Sequence, residues 1–143
     1  MIKNEEVEVE YYENGNQKYE CHFKDGKLDG VYTEWFEDGT IKIKGHNKDG
    51  KEDGVFTHWY EDGTKKCEVH FKNGESDGVG MWWYGDGTKE QIQHHKNGTP
   101  YGHWIVWNED GTKVNEIIYD SIGKEVMIGD DMEKRELSVN PKK

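Results

Sequence analysis

Glycine recurs in this chain on a fixed period. Gly26, Gly50, Gly74 and Gly98 stand 24 residues apart, as do Gly30, Gly54, Gly78 and Gly102, and Gly15, Gly39, Gly63, Gly87 and Gly111. Trp35, Trp59, Trp83 and Trp107 form a fourth column, with Tyr11 in register ahead of them. His22, His46, His70 and His94 form a fifth. A period of roughly 20 to 50 residues marks a repeat array, in which each unit buries its apolar side only against its neighbours. Glycine this frequent argues against helix, and no 3.6-residue apolar pattern persists.

Two turn signals punctuate each unit. Glu61-Asp62-Gly63-Thr64 suits a type I turn followed by a glycine in the left-handed region. Asp49-Gly50-Lys51-Glu52-Asp53-Gly54 reads as a longer loop with two glycines. Between them lie strands of about six or seven residues. Each unit is therefore expected to be a β-hairpin. The predicted fold is all-β: an elongated single antiparallel meander of tandem β-hairpins, with no separate hydrophobic-core domain. About ten strands at the usual spacing give a sheet roughly 45 Å long.

Alternation assigns faces. Val55, Thr57 and Trp59 share one side, and Phe56, His58 and Tyr60 the other. Pairing around Gly63 is expected to carry Cys67 and Val69 onto the Val55 side, making that the apolar face. Tryptophan then lies on one face and histidine on the other, with each histidine over a glycine, as His46 over Gly30. Glu34 and Lys42 suit a cross-strand charge pair. Residues 1–128 read as the repeat array. Its first hairpin is truncated, and its last is built from Ile117-Ile118-Tyr119 and Glu125-Val126-Met127-Ile128 around Ser121-Ile122-Gly123. Residues 129–143 read as a loose charged tail with a helical turn at 132–137. Exposed edge strands invite further pairing, including association between copies, and Glu6, Glu8 and Glu10 would blunt the first edge.

Mean hydropathy is -1.14, a value that alone suggests disorder. The aromatic share of 13% argues against it, because disordered segments are poor in rings and a few large rings bury much area. The net charge of -11 makes nucleic acid and anionic membrane poor partners. The first residues carry no apolar signal region, and no run of about 20 apolar residues is present. Two cysteines do not make a disulfide framework, so a cytoplasmic setting is expected. Cys21 and Cys67 stand nearly two units apart, about 20 Å by strand spacing, beyond the roughly 7 Å that a disulfide spans.

The run Asp49-Gly50-Lys51-Glu52-Asp53-Gly54-Val55, followed by Trp59-Tyr60-Glu61-Asp62-Gly63, recurs at 25–39, 73–87 and 97–111. It resembles the MORN-repeat variant, arrays of which are typical of the YwqK-like antitoxin family. The resemblance implies an antiparallel hairpin array without enzymatic activity. The family name implies neutralisation of a toxin by binding. Other MORN repeats imply phospholipid contact or a role in assembly. Two places depart from the pattern. Pro100-Tyr101-Gly102 lacks the aspartate before the second glycine, and Gly80 and Trp82 replace an aromatic and a polar residue.

Chemistry is scarce. Histidines one unit apart are separated by about 10 Å, whereas zinc ligands sit about 2.0 to 2.1 Å from one ion. His94 and His95 are strand neighbours and face opposite ways, which weakens a cluster with His103. The acidic turns lack the spacing and terminal glutamate of a calcium loop. No catalytic motif or cofactor fingerprint appears. No catalytic residue, metal or cofactor is expected, and the chain does not read as an enzyme. The aromatic columns remain. Trp35, Trp59, Trp83 and Trp107, with Val31, Val55 and Val79, must bury by stacking or against a partner. Together with Trp82 and Trp104 they are the candidate partner-binding residues, because tryptophan dominates interface hot spots. The acidic rim favours a basic protein, which the resemblance would make a cognate toxin. A self-assembling scaffold and a lipid-surface module are the alternatives.

Overall fold

Two kinds of tight turn alternate along the chain and fold it back at each half-repeat. The computed structural model describes residues 4–128; the predicted tail at 129–143 and its turn at 132–137 lie outside them. The first kind is the expected one. Tyr60 N donates to Thr64 O at 2.8 Å and Gly63 N to Tyr60 O at 3.0 Å, with Gly63 at φ 87. The same pair of bonds closes the turns at Tyr12, Phe36, Tyr84 and Asn108.

The second turn is tighter than the sequence reading. Asp49 and Gly50 have φ of 51 and 81, and Lys48 pairs directly with Lys51. Two successive positive φ values define a two-residue type I′ turn, for which Asp-Gly and Asn-Gly are the preferred pairs. Asp25-Gly26, Asn73-Gly74 and Asn97-Gly98 repeat it. The second glycine of each unit lies beyond the loop, at or within the next strand.

Fourteen strands result: β1 (Glu5–Tyr11), β2 (Gln17–Lys24), β3 (Lys27–Leu28), β4 (Gly30–Trp35), β5 (Ile41–Lys48), β6 (Lys51–Glu52), β7 (Gly54–Trp59), β8 (Lys65–Lys72), β9 (Glu75–Trp83), β10 (Lys89–Lys96), β11 (Thr99–Pro100), β12 (Gly102–Trp107), β13 (Lys113–Tyr119) and β14 (Glu125–Ile128). They form one open antiparallel sheet in the order β1-β2-β4-β5-β7-β8-β9-β10-β12-β13-β14, and the two-residue β3, β6 and β11 pair with β2, β5 and β10. This is the predicted meander.

The predicted faces are corrected. Beside the type I turn the register steps from Trp59 opposite Lys65 to His58 opposite Cys67, so Lys66 is left over as a bulge. A one-residue slip moves every later side chain to the other face. Phe56 therefore lies opposite Val69, His58 opposite Cys67 and Gly54 opposite Phe71. That is the apolar side, here called the ring face. Cys67 and Val69 are on it, and Val55, Thr57 and Trp59 are not. The histidine column lies across from the valine column on the other side. His22 pairs with Val7, His46 with Val31, His70 with Val55 and His94 with Val79. By alternation the tryptophan column shares this histidine face. Val31 and Val55 stay 43% and 40% exposed, so they are not buried as expected. Gly30 pairs with Asn47, and the ring beside it is His22: a Cβ there would lie 3.2 Å from the His22 Cβ.

Packing is one layer deep. Among the described residues no large side chain is fully buried. The ring face instead fits rings over small residues. A Cβ on Gly45 would come within 2.4 Å of the Phe56 ring, and Phe56 meets Phe71 edge-on at 5.7 Å. Cys21 is buried in the same face, and burial raises its thiol pKa. Glu34 and Lys42 make the expected ion pair at 3.7 Å.

Candidate protein-binding surface

The six candidate tryptophans divide between two sites. Trp35, Trp59, Trp83 and Trp107 end strands β4, β7, β9 and β12, each next to a bulge or a turn. All four are half-buried. Their backbone matters as much as their rings. Tyr12 Oη donates to Trp35 O at 2.8 Å, Tyr60 Oη to Trp83 O at 2.8 Å and Tyr84 Oη to Trp107 O at 2.6 Å. Each phenol reaches one repeat ahead, so consecutive hairpins are latched at the type I turns. Sequence reading missed these latches, although the residue after each column position, Tyr12, Phe36, Tyr60, Tyr84 and Asn108, carried the signal. Phe36 has no hydroxyl, so the latch to Trp59 is absent.

Trp82 and Trp104 lie on the ring face. Trp104 stands where Tyr32 and Phe56 stand in earlier units, two residues after the second glycine. Its Nε1 donates to His94 O at 3.0 Å. Its ring lies 4.9 Å from His95 and 5.0 Å from Tyr119. In the third unit that position is Gly80, and Trp82 fills the gap: a Cβ on Gly80 would come within 2.7 Å of Trp82 Cη2. The irregular pair is a packing exchange within one strand. Trp82 pairs across the sheet with Cys67 and Gln91.

Charge surrounds these rings. Lys66 Nζ lies 5.7 Å from the centre of the Tyr60 ring and Lys42 Nζ 5.9 Å from that of Phe36, within cation–π range. Burial lowers the pKa of His58, and Lys66 lowers it further. Burial likewise lowers that of His95, with a contribution from His94. His94 and His103 do sit close, but as hydrogen-bond partners: His94 Nδ1 donates to His103 O at 2.9 Å. His103 Nδ1 meets Glu116 Oε1 at 2.9 Å, and Lys113 Nζ meets Glu116 Oε2 at 2.8 Å. The bond from Lys113, then that from His103, holds the buried Glu116 below the ordinary carboxylate range. Among the described residues no three His, Cys, Asp or Glu side chains converge to hold a metal ion.

Three segments, residues 7–25, 28–49 and 52–73, match the MORN repeat variant. Each matched segment is one hairpin around a type I turn: β1–β2, β4–β5 and β7–β8. The hairpins β9–β10 and β12–β13 repeat the architecture outside the matched segments. Gly80 and Trp82 lie in β9, and Pro100 and Tyr101 lie in β11 and the link from it to β12, between these two hairpins. No curated protein matches this sequence. Among the described residues no helix is long and apolar enough to cross a membrane.

Proposed function

We propose that this chain is a non-enzymatic repeat protein that binds another protein, of basic surface, and acts as an antitoxin or immunity-type protein. The observation that carries the reading is the ring face. Tyr32, Phe56, Trp82 and Trp104 are held half-buried on one open sheet layer, in a chain of net charge -11. Rings fixed by glycine contacts and hydrogen bonds lose little entropy on binding, which is what hot spots require. The net charge of -11 steers a basic partner and disfavours nucleic acid. The MORN-variant hairpins support a binding module, and the resemblance to the YwqK-like family supports the antitoxin role.

The test pairs the chain with the product of the gene beside its own. The expected result is toxicity of that product alone, relief on co-expression, and a co-purifying complex weakened at least tenfold by Trp104→Ala in a variant that keeps its β circular dichroism. A neighbour harmless on its own would sink the antitoxin role. A chain that captures no protein in a ring-face-dependent way would sink the binding role.

A further inference from the structure

The first strand breaks the pattern of the sheet. Interior strands put rings, glycines and some polar residues such as His58 and Gln93 on the ring face, and none puts more than one carboxylate there, as Glu34 on β4. But β1 puts Glu6, Glu8 and Glu10 there, opposite Phe23, Cys21 and Tyr19. Val7 and Val9 occupy its histidine face, opposite His22 and Glu20. β1 ends the sheet, and among the described residues no strand lies beyond it. Most of its residues are exposed.

The hydrogen-bond phase says which groups face outward. Asp25 N donates to Asn4 O at 2.9 Å, and Tyr12 N donates to Asn16 O at 2.8 Å. Bonded and non-bonded pairs alternate in an antiparallel ladder. The even residues Glu6, Glu8 and Glu10 are therefore bonded to β2, and the N–H and C=O groups of Glu5, Val7 and Val9 point to the free edge. An added antiparallel strand would bond at Val7 and Val9. Its residues facing Glu6, Glu8 and Glu10 would then sit in non-bonded pairs, where Cα atoms are about 4.5 Å apart and side chains are closest. Opposite charges there stabilise and like charges destabilise. Tyr19 Oη already donates to Glu8, and Lys18 Nζ lies 3.1 Å from Glu10, so cationic and donor groups are accepted along this row.

We propose that the outer edge of β1 receives an extended basic segment of the partner protein as an added strand, with Lys or Arg at alternate positions facing Glu6, Glu8 and Glu10. This rests on the protein-binding reading and names the mode of binding. The same carboxylates that select such a strand repel a second β1, since antiparallel copies would set glutamate against glutamate. Edge protection and partner selection are one device.

The probe is a capped heptapeptide, Lys-Val-Lys-Thr-Lys-Val-Lys, with a control of the same composition in which the lysines are contiguous. Amide exchange by NMR on the full chain should show at least tenfold slowing at Val7 and Val9 with the alternating peptide, and at least tenfold weaker binding of the control. Val7→Pro removes one outward N–H and no ladder bond, so it should keep the fold and abolish the slowing. The triple variant Glu6→Lys, Glu8→Lys, Glu10→Lys should lose the basic peptide and accept its glutamate counterpart. Equal binding by Val7→Pro, equal binding of the control, or slow exchange at Val7 and Val9 in the free chain would each overturn the edge assignment. A natural partner retained by Val7→Pro would overturn it while sparing the binding reading, whereas failure to capture any partner would count against that reading itself.

Discussion

At the scale of single residues the protein is held by small, repeated devices. The phenol latch is present at Tyr12, Tyr60 and Tyr84 and missing at Phe36. Phe36→Tyr should therefore add one hydrogen bond to Trp59 O and stabilise the fold by about 0.5–1 kcal/mol, read as a shift in urea midpoint with unchanged slope. Gly45 is occupied by the Phe56 ring, so Gly45→Ala should cost roughly 1–3 kcal/mol by overpacking. Combined with Phe56→Ala, its cost should largely vanish in a double-mutant cycle. Histidine sets the pH response. His58 and His95 have lowered pKa values, mainly through burial. The unfolded chain, with histidine near pH 6.5, then binds protons that the folded chain refuses. Their contribution is complete above that pH and declines as pH falls toward the folded values. Thermal midpoints should drop on acidification below about pH 6.5, and His95→Gln should flatten the drop.

At the scale of the element, turn chemistry decides the fold, and it was only partly legible in sequence. The period, the type I turns at Gly63 and its equivalents, and the meander all followed from glycine spacing. The type I′ turns were present as Asp49-Gly50 and Asn73-Gly74, but the second glycine of each unit drew both into one long loop. The faces were out of reach of alternation alone. One unpaired residue such as Lys66 reverses every side chain after it, and nothing in its identity marks it as a bulge. Of the six tryptophans, sequence grouped Trp35, Trp59, Trp83 and Trp107 by column but could not show Trp82 replacing the ring that Gly80 lacks. Asp49 sits at φ 51, a conformation that costs an ordinary side chain about 1–2 kcal/mol. Asp49→Ala should destabilise by about 1 kcal/mol on that ground, whereas Asp49→Asn should not, as measured by chemical denaturation.

At the scale of the whole molecule, one open sheet with a ring face and a histidine face is the central claim, and both binding proposals depend on it. Stability in such an array is a sum of units and their interfaces, so no deep core compensates for a wrong register. The bulges place Val7 opposite His22, Val31 opposite His46, Val55 opposite His70 and Val79 opposite His94. The turn bonds put all four in the non-bonded phase of the ladder, where facing Hα atoms are closest. Nuclear Overhauser spectroscopy reads this directly. The account predicts strong Hα–Hα cross-peaks for all four valine–histidine pairs. Cross-peaks from Val55 to Val69 or Phe71 in place of His70 would contradict it, because they would return Cys67 and Val69 to the face of Val55 and remove the ring face.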